Sequence, residues 1–490
     1  MSLLAWIISL VLSYPILRAI YNLTLHPLRE FPGPILASCS PIPHFYWIYR
    51  GIFHSKILNL HKKYGSVVRV SPNILLYNSA QAWKDICGHR KIGDLSFEKD
   101  PEWYPIGPSG VSIVNAMEAD HSRMRRLLSH AFSEQALREQ EPLLQSYIDL
   151  LIRRLHEHST STAARVDMTQ WFNYTTFDII GDLSFGESFD CLKTRKYHPW
   201  IEFTFRSFKA SALMRPFLAL LPPWLFELLL PRRLQRMIED NFYICQEKVA
   251  RRVKLQTSRP DFISYILKHN DNDKRRMSRD EIDVNMALII VAGSETIATL
   301  LSGCTFFLLR HPEVYRRVTT EIRTSFSCYE DINFLSAANL PYLNAVLEEC
   351  LRMYPPVPSV LPRKVPSGGA MIDGRFVPAG TTVSMAYLSA FRSETNFAEP
   401  DSFLPERWLD KESPRFAADK REVLQPFSYG PRNCLGKNLA YAEMRLIAAK
   451  LWWSFDIKAV EDIEGWMDQQ RSYAIWEKYP LMVKLTAVER

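Results

Sequence analysis

The chain contains no C-x-x-C pair and no His/Cys cluster at zinc-ligand spacing. Its eight cysteines, Cys39, Cys87, Cys191, Cys245, Cys304, Cys328, Cys350 and Cys434, are scattered. That excludes a zinc module and a thioredoxin-like pair, and it fits a reducing compartment where most thiols are small buried hydrophobes. Basic runs stop at short clusters such as "DKRR" and "RMRR", so a net charge of +7 over 490 residues argues against nucleic-acid binding. A thinly spread positive surface suits an acidic protein or an anionic membrane. Internal repeats, low-complexity tracts and linkers beyond residue 35 are also missing, which removes solenoids and multidomain arrays. No glycine-rich dinucleotide fingerprint is present, so a redox reaction would need an outside electron donor.

What is there is a globular composition, 47% hydrophobic and 23% charged, long enough to bury a cofactor, with 31 prolines punctuating it. The apolar run "LLAWIISLVLSYPIL" has no charge, and Arg18, His26 and Arg29 follow it. Extended through Leu25, it approaches the ~20 residues of a membrane span. It has neither the basic start nor the small-residue cleavage site of a secretory signal. Residues 1–25 are therefore expected to be an N-terminal transmembrane anchor, the positive-inside bias leaving the body cytoplasmic; a terminal core helix is the alternative. Residues 26–35, with Pro27, Pro32 and Pro34, form a Pro-rich hinge, and residues 36–490 one domain.

Patterning predicts helices over Asp120–Phe132, Gln135–His156, Met168–Leu183, Leu234–Val253 and Glu313–Ser325. A long helix starts at the capping box Ser278/Glu281 and stops at His311-Pro312. It is apolar nearly all round at its middle and should be buried. Hairpins are expected in "GSVVRVSPNILLYNS" and "GRFVPAGTTVSMAYL". The fold class is mainly α with small β-sheets.

In "FSYGPRNCLGKNLA", Cys434 stands just before a helical run, whose N-terminus would stabilise a thiolate. Gly430 and Gly436 allow close approach, and Arg432 offers a cation to a carboxylate. Such a loop serves either as a structural turn or as a thiolate ligand to haem iron with an arginine-held propionate. In "AGSET", Gly293 weakens the long helix beside Glu295 and Thr296, a carboxylate and a hydroxyl able to relay protons. The other reading is a kinked core helix. Glu349 and Arg352 share a helix face, and "HSRMRR" could be a solvated basic face.

The full pattern formed by Phe427, Gly430, Arg432, Cys434 and Gly436 resembles the cysteine-ligand signature of the cytochrome P-450 superfamily. Ala292, Gly293, Glu295 and Thr296 resemble its oxygen-activation motif. Glu349, Arg352 and, in "FLPERW", Arg407 resemble its structural triad. "ADHSRMRRLLSHAF" is similar to the helix that reaches a haem propionate, with His121 where many members have tryptophan and Arg125 on the matching arginine; Arg363 in "VLPRKVP" falls on another propionate position. "HPLREFPGP", "GESFDC" and "PERW" resemble the membrane-bound microsomal class, fungal biosynthetic members in particular.

The resemblance implies the cytochrome P-450 fold, with a long helix over haem b and Cys434 as axial ligand. It implies a monooxygenase inserting one atom of O2 into a lipophilic small molecule of fungal secondary metabolism, a terpenoid, polyketide or alkaloid. Electrons would come from an NADPH-cytochrome P-450 reductase, with cytochrome b5 as an additional donor, at the endoplasmic reticulum membrane. Substrate contacts are expected from residues 101–117, Ile289, Ile290 and Val357–Leu361, and residues 208–231 are apolar enough to enter the bilayer or, equally, to form a buried helix pair. A haem-thiolate isomerase or dehydratase without O2 and a non-enzymatic haem sensor are the alternatives. The sequons at Asn22 and Asn173 are expected to stay unmodified on a cytoplasmic body.

Overall fold

A computed structural model describes residues 3–91, 93, 95–104, 110–159, 165–220, 225, 228, 232–255, 257, 259–270, 276–409 and 413–489. The architecture is mainly helical with small sheets. Its axis is the helix Arg279–Arg310, whose 32 residues span about 48 Å at the usual rise. Both halves of the Ser278/Glu281 capping box form, satisfying two backbone N–H groups that a helix start otherwise leaves unpaired. This helix packs along Met168–Phe185, itself buried on almost every side. Helices Pro341–Met353 and Lys437–Ser454 complete the core around them.

Gly293 allows the tight seam between the central helix and Met168–Phe185. A Cβ there would stand 2.5 Å from Cδ1 of Ile180. The helix continues unbroken through this glycine, so its role in the fold is close packing against Ile180, where the sequence had suggested a local weakening.

The other predicted helices form with ends shifted by a few residues: Glu118–Ser129 continued by the 3-10 turn His130–Phe132, Glu134–Ser159, Met168–Phe185, Arg232–Lys254 and Pro312–Ser325. The first hairpin also forms, Val67–Ser71 antiparallel to Ile74–Tyr77. The second does not. Arg375–Val377 pairs with Ala370–Ile372, while Thr382–Met385 joins Ile74–Tyr77 in parallel and Arg363–Lys364 antiparallel. Pro378 cannot donate to a ladder, and Thr382–Met385 is fully buried, so it is the first sheet, with its apolar face, that captures this strand.

Residues 3–24 form an α-helix. Its end is fastened to the body: Asn22 donates to the Cys39 carbonyl at 2.8 Å and its own carbonyl accepts from Arg69 at 3.0 Å. The anchor expectation also covers Met1 and Ser2, which lie outside the described residues, as does most of the apolar stretch 221–231.

Candidate functional site

The loop preceding Lys437–Ser454 holds Cys434 against a cavity of about 330 Å³. The Cys434 N–H donates to the Phe427 carbonyl at 2.8 Å, fixing the loop. The thiol is accessible from the cavity yet deeply enclosed by protein. Burial pushes it above the usual cysteine range, opposed by the Gly436 backbone N–H and by the charges of Arg125 and Lys437. An electrophile in the cavity would therefore meet a sulfur whose ionised form has three stabilising neighbours.

Opposite the thiol, the cavity is lined by Leu288, Ile289, Ala292, Gly293 and Thr296 of the central helix. Thr296 donates its hydroxyl to the Ala292 carbonyl at 2.7 Å, a back-bond that leaves the oxygen as an acceptor toward the cavity. Glu295 is not in the lining. Its side chain is buried and paired with Lys478, which comes from the segment after strand Ile475–Glu477. Ile290 is wholly buried and likewise absent from the lining, whereas Ile113, Val114, Val357 and Leu361 contribute to it. Of the expected loop 101–117, residues 105–109 lie outside the described residues.

One rim of the cavity is cationic. Lys99, His121, Arg125 and Arg432 line it, and Arg363 sits behind them, bridged through its backbone to Lys99. Arg432 donates to Glu98 Oε2 and to the Ala116 carbonyl, both at 2.7 Å, and lies 3.6 Å from Glu118. Arg125 donates to the Asn433 carbonyl and side chain, and Arg363 to the Phe97 carbonyl at 3.0 Å. Among the described residues neither Lys99 nor Arg125 has a carboxylate partner. The Lys99 ammonium instead lies 4.4 Å from the Tyr104 ring centroid. Burial, with Arg363 and Arg432, lowers Lys99 to about 7, and burial, with Arg432, Arg125, Lys99 and Arg363, lowers His121 to about 3. Enclosed positive charge in excess of its counter-charge calls for an anion. A flat group with two carboxylates at one edge and a metal facing the thiol fits this donor set.

The sequence brings Phe427 and Gly436 to the lining as expected. Gly430 is different: its φ of 74° and a would-be Cβ only 1.9 Å from the Cys87 carbonyl oxygen show that it serves the packing of the loop on helix Ala80–Cys87. Glu349, Arg352 and Arg407 are brought together with no exposure, Arg352 and Arg407 lying 2.7 and 3.2 Å from Glu349 Oε1. Arg352 also donates to the carbonyls of Phe391, Pro400 and Ser402, so the cluster pins the chain leading to the cysteine loop.

Three members were not legible. Lys99 lies in "FEKDPEW", which reads as a solvated charged stretch; Asp419, which accepts from Arg407 at 2.5 Å, and Lys478 stand in polar segments with no periodicity. Only tertiary contact shows their partners.

The cytochrome P-450 family model matches residues 37–485. The chain is 50% identical over 472 residues to the cytochrome P450-class monooxygenase astJ of Aspergillus oryzae, covering 96% of this chain and 94% of that one. It is 44% identical over 476 residues to the related monooxygenase aclL of the same organism, covering 96% of each. It is 43% identical over 477 residues to the trichothecene C-15 hydroxylase of Fusarium sporotrichioides, covering 97% and 96%. The chain belongs to the cytochrome P-450 family, whose members carry haem on a cysteine thiolate. It is a monooxygenase of that family, an oxygen-incorporating oxidoreductase that draws electrons from a redox partner and acts on a small molecule.

Proposed function

We propose that Cys434 is the axial ligand of haem b and that the enzyme hydroxylates, or otherwise oxidises, a lipophilic secondary metabolite. One observation carries the reading: a thiol and a surplus of enclosed cations face the same apolar cavity. Arg125, Arg432 and His121 would hold the propionates, with Lys99 beside them and Arg363 supporting from behind. Bound haem supplies dioxygen activation, which the thiolate favours. The chain's own part is to exclude water with Ile113, Val114, Leu288, Ile289 and Val357, to orient an apolar substrate against them, and to deliver protons through Glu295 and the Thr296 hydroxyl. The hydroxyl facing the cavity favours an oxygen-using reaction over an isomerase or dehydratase. The relatives' names, a trichothecene hydroxylase among them, support a fungal biosynthetic substrate.

Electrons are assigned to an NADPH-cytochrome P-450 reductase, with cytochrome b5 as a second donor, on the endoplasmic reticulum membrane. Residues 1–25 serve as the anchor, 26–35 as the hinge and 36–490 as the catalytic domain. Exposed Ile16, Leu17 and Ile20 on the first helix support this, continued by Ile35, Leu36 and Ile42 nearby.

The test is the reduced carbon monoxide difference spectrum. Wild type is expected to give the thiolate band and Cys434→Ala to lose it; a mutant retaining the band overturns the ligand assignment.

A further inference from the structure

Glu295 and Lys478 form an ion pair in the core, their side chains 4% and 3% exposed. The Lys478 ammonium holds Glu295 Oε1 and also donates to the Thr299 hydroxyl at 2.9 Å, one turn along the same helix. Glu295 Oε2 is buried and has no hydrogen-bond partner. Adjacent positions on a helix point about 100° apart. Thr296 thus reaches the cavity while Glu295 is turned to the seam where the C-terminal hairpin meets the helix.

The hairpin end lies at the surface. Glu477 and Tyr479 on either side of Lys478 are exposed, so its backbone is at the surface and its side chain runs inward. Lys478 is the single cation in contact with Glu295 among the described residues. The other groups near the pair are the neutral phenols of Tyr197 and Tyr354, which feel the Glu295 charge, and Asp167, which favours the Lys478 ammonium. Asp167 is occupied by the N–H groups of Thr169 and Leu481. A buried carboxylate with one oxygen tied and one orphaned is costly unless it serves something.

We propose that Lys478 is the positioning residue of the proton path, holding Glu295 by one oxygen and connecting it to solvent at the C-terminal hairpin. This rests on the reading of Glu295 and Thr296 as that path. A proton passing from the Lys478 ammonium to Glu295 Oε1 leaves a neutral amine and a neutral carboxylic acid. The acid, its carboxyl turning away from Lys478, gives up that same proton toward the Thr296 hydroxyl, and the amine takes its replacement from water at the hairpin. Burial raises Glu295 and lowers Lys478, which narrows the gap between the two protonation states.

The experiment compares wild type with Lys478→Met, Lys478→Arg, Glu295→Gln and the double variant Glu295→Gln/Lys478→Met, all full length, haem-loaded and membrane-bound. Dioxygen consumption driven by NADPH and the reductase, without added substrate, is followed against pH in water and D2O. The Glu295 carboxyl is followed separately by infrared spectroscopy, assigned by its loss in Glu295→Gln. Lys478→Met is expected to slow consumption about tenfold or more and to enlarge the solvent isotope effect. Its carboxyl should protonate at higher pH, since burial then acts without the opposing cation. Lys478→Arg should recover most of the rate.

If Lys478→Met keeps the wild-type rate, isotope effect and carboxyl titration while Glu295→Gln is slowed, the role of Lys478 is overturned and the proton path stands. If Glu295→Gln itself behaves as wild type, the path fails and the inference with it. Should Lys478→Met not retain haem, the double variant carries the test, because it leaves neither charge unpaired. It is expected to match Glu295→Gln alone, and a further loss overturns the proposal.

Discussion

Arg407 Nη1 lies 2.5 Å from Asp419 Oδ2, with neither side chain exposed. The buried cluster that joins helix Pro341–Met353 to the segment before the cysteine loop therefore has four charged members, two of each sign. Arg352 and Arg407 share Glu349, which also accepts the Trp408 indole N–H at 2.9 Å, and Asp419 supplies the second negative charge. A triad alone would leave an uncompensated cation in the core.

Asp419→Ala is expected to destabilise the folded protein by about 3–5 kcal/mol, the usual consequence of stranding one partner of a buried pair. Removing the exposed Arg415–Glu399 pair nearby should leave stability unchanged. Urea denaturation of the detergent-solubilised protein distinguishes them; equal effects would remove Asp419 from the cluster.

Gly430→Ala forces a side chain into left-handed backbone and against the Cys87 carbonyl. Strain of that kind costs on the order of 1–3 kcal/mol before the clash is counted. The expected outcome is lower haem content in purified protein together with a lower unfolding midpoint. Gly436→Ala, with only the Phe132 ring at 3.7 Å, should keep both near wild type.

Lys99 titrates near 7 in the folded, haem-free cavity, well below the ~10.4 of an unfolded lysine. Between those values the unfolded chain binds the extra proton, so this group makes haem-free stability rise with pH from about 7 to about 10. Lys99→Met should flatten that rise and stabilise the haem-free protein at neutral pH. In the loaded enzyme the same change should speed haem transfer to apomyoglobin by about ten- to a hundredfold, the effect of losing a charged hydrogen bond of ~1.5–3 kcal/mol. A stability profile identical to wild type would remove Lys99 from the cationic rim.

Asn22 and Asn173 are 1% and 4% exposed, and both side-chain amides are engaged, Asn173 with the Tyr197 hydroxyl at 3.0 Å. Neither can be presented to a glycosyltransferase once folded. Intact-mass measurement before and after glycosidase should show no shift; a shift would reverse the topology proposed for residues 1–25.

Much of the helical frame was readable because its signals are local: the Ser278/Glu281 box, the long apolar stretch after it and His311-Pro312 at its end. The residues that line the cavity from the cysteine loop were readable from a compact motif. What escaped depends on long-range choice. Thr382–Met385 could pair with the strand just before it in sequence, Arg375–Val377, or with a distant one, and burial decided for Ile74–Tyr77. Gly293 and Gly430 were visible as permissive positions, yet which surface each one meets, Ile180 or the Cys87 carbonyl, is a tertiary fact. Glu295 was legible as a misplaced charge in an apolar helix, while its counter-ion comes from 183 positions later in the chain.

The clasp at Asn22 has a practical consequence for crystallisation. Because Arg69 donates to the Asn22 carbonyl, a shortened protein that starts just before Asn22 keeps this join between leading segment and first sheet. One that starts at Pro27 strands one arm of a guanidinium that is only 1% exposed. The safe place to cut lies inside the hydrophobic helix, a few residues before the point where its apolar run ends.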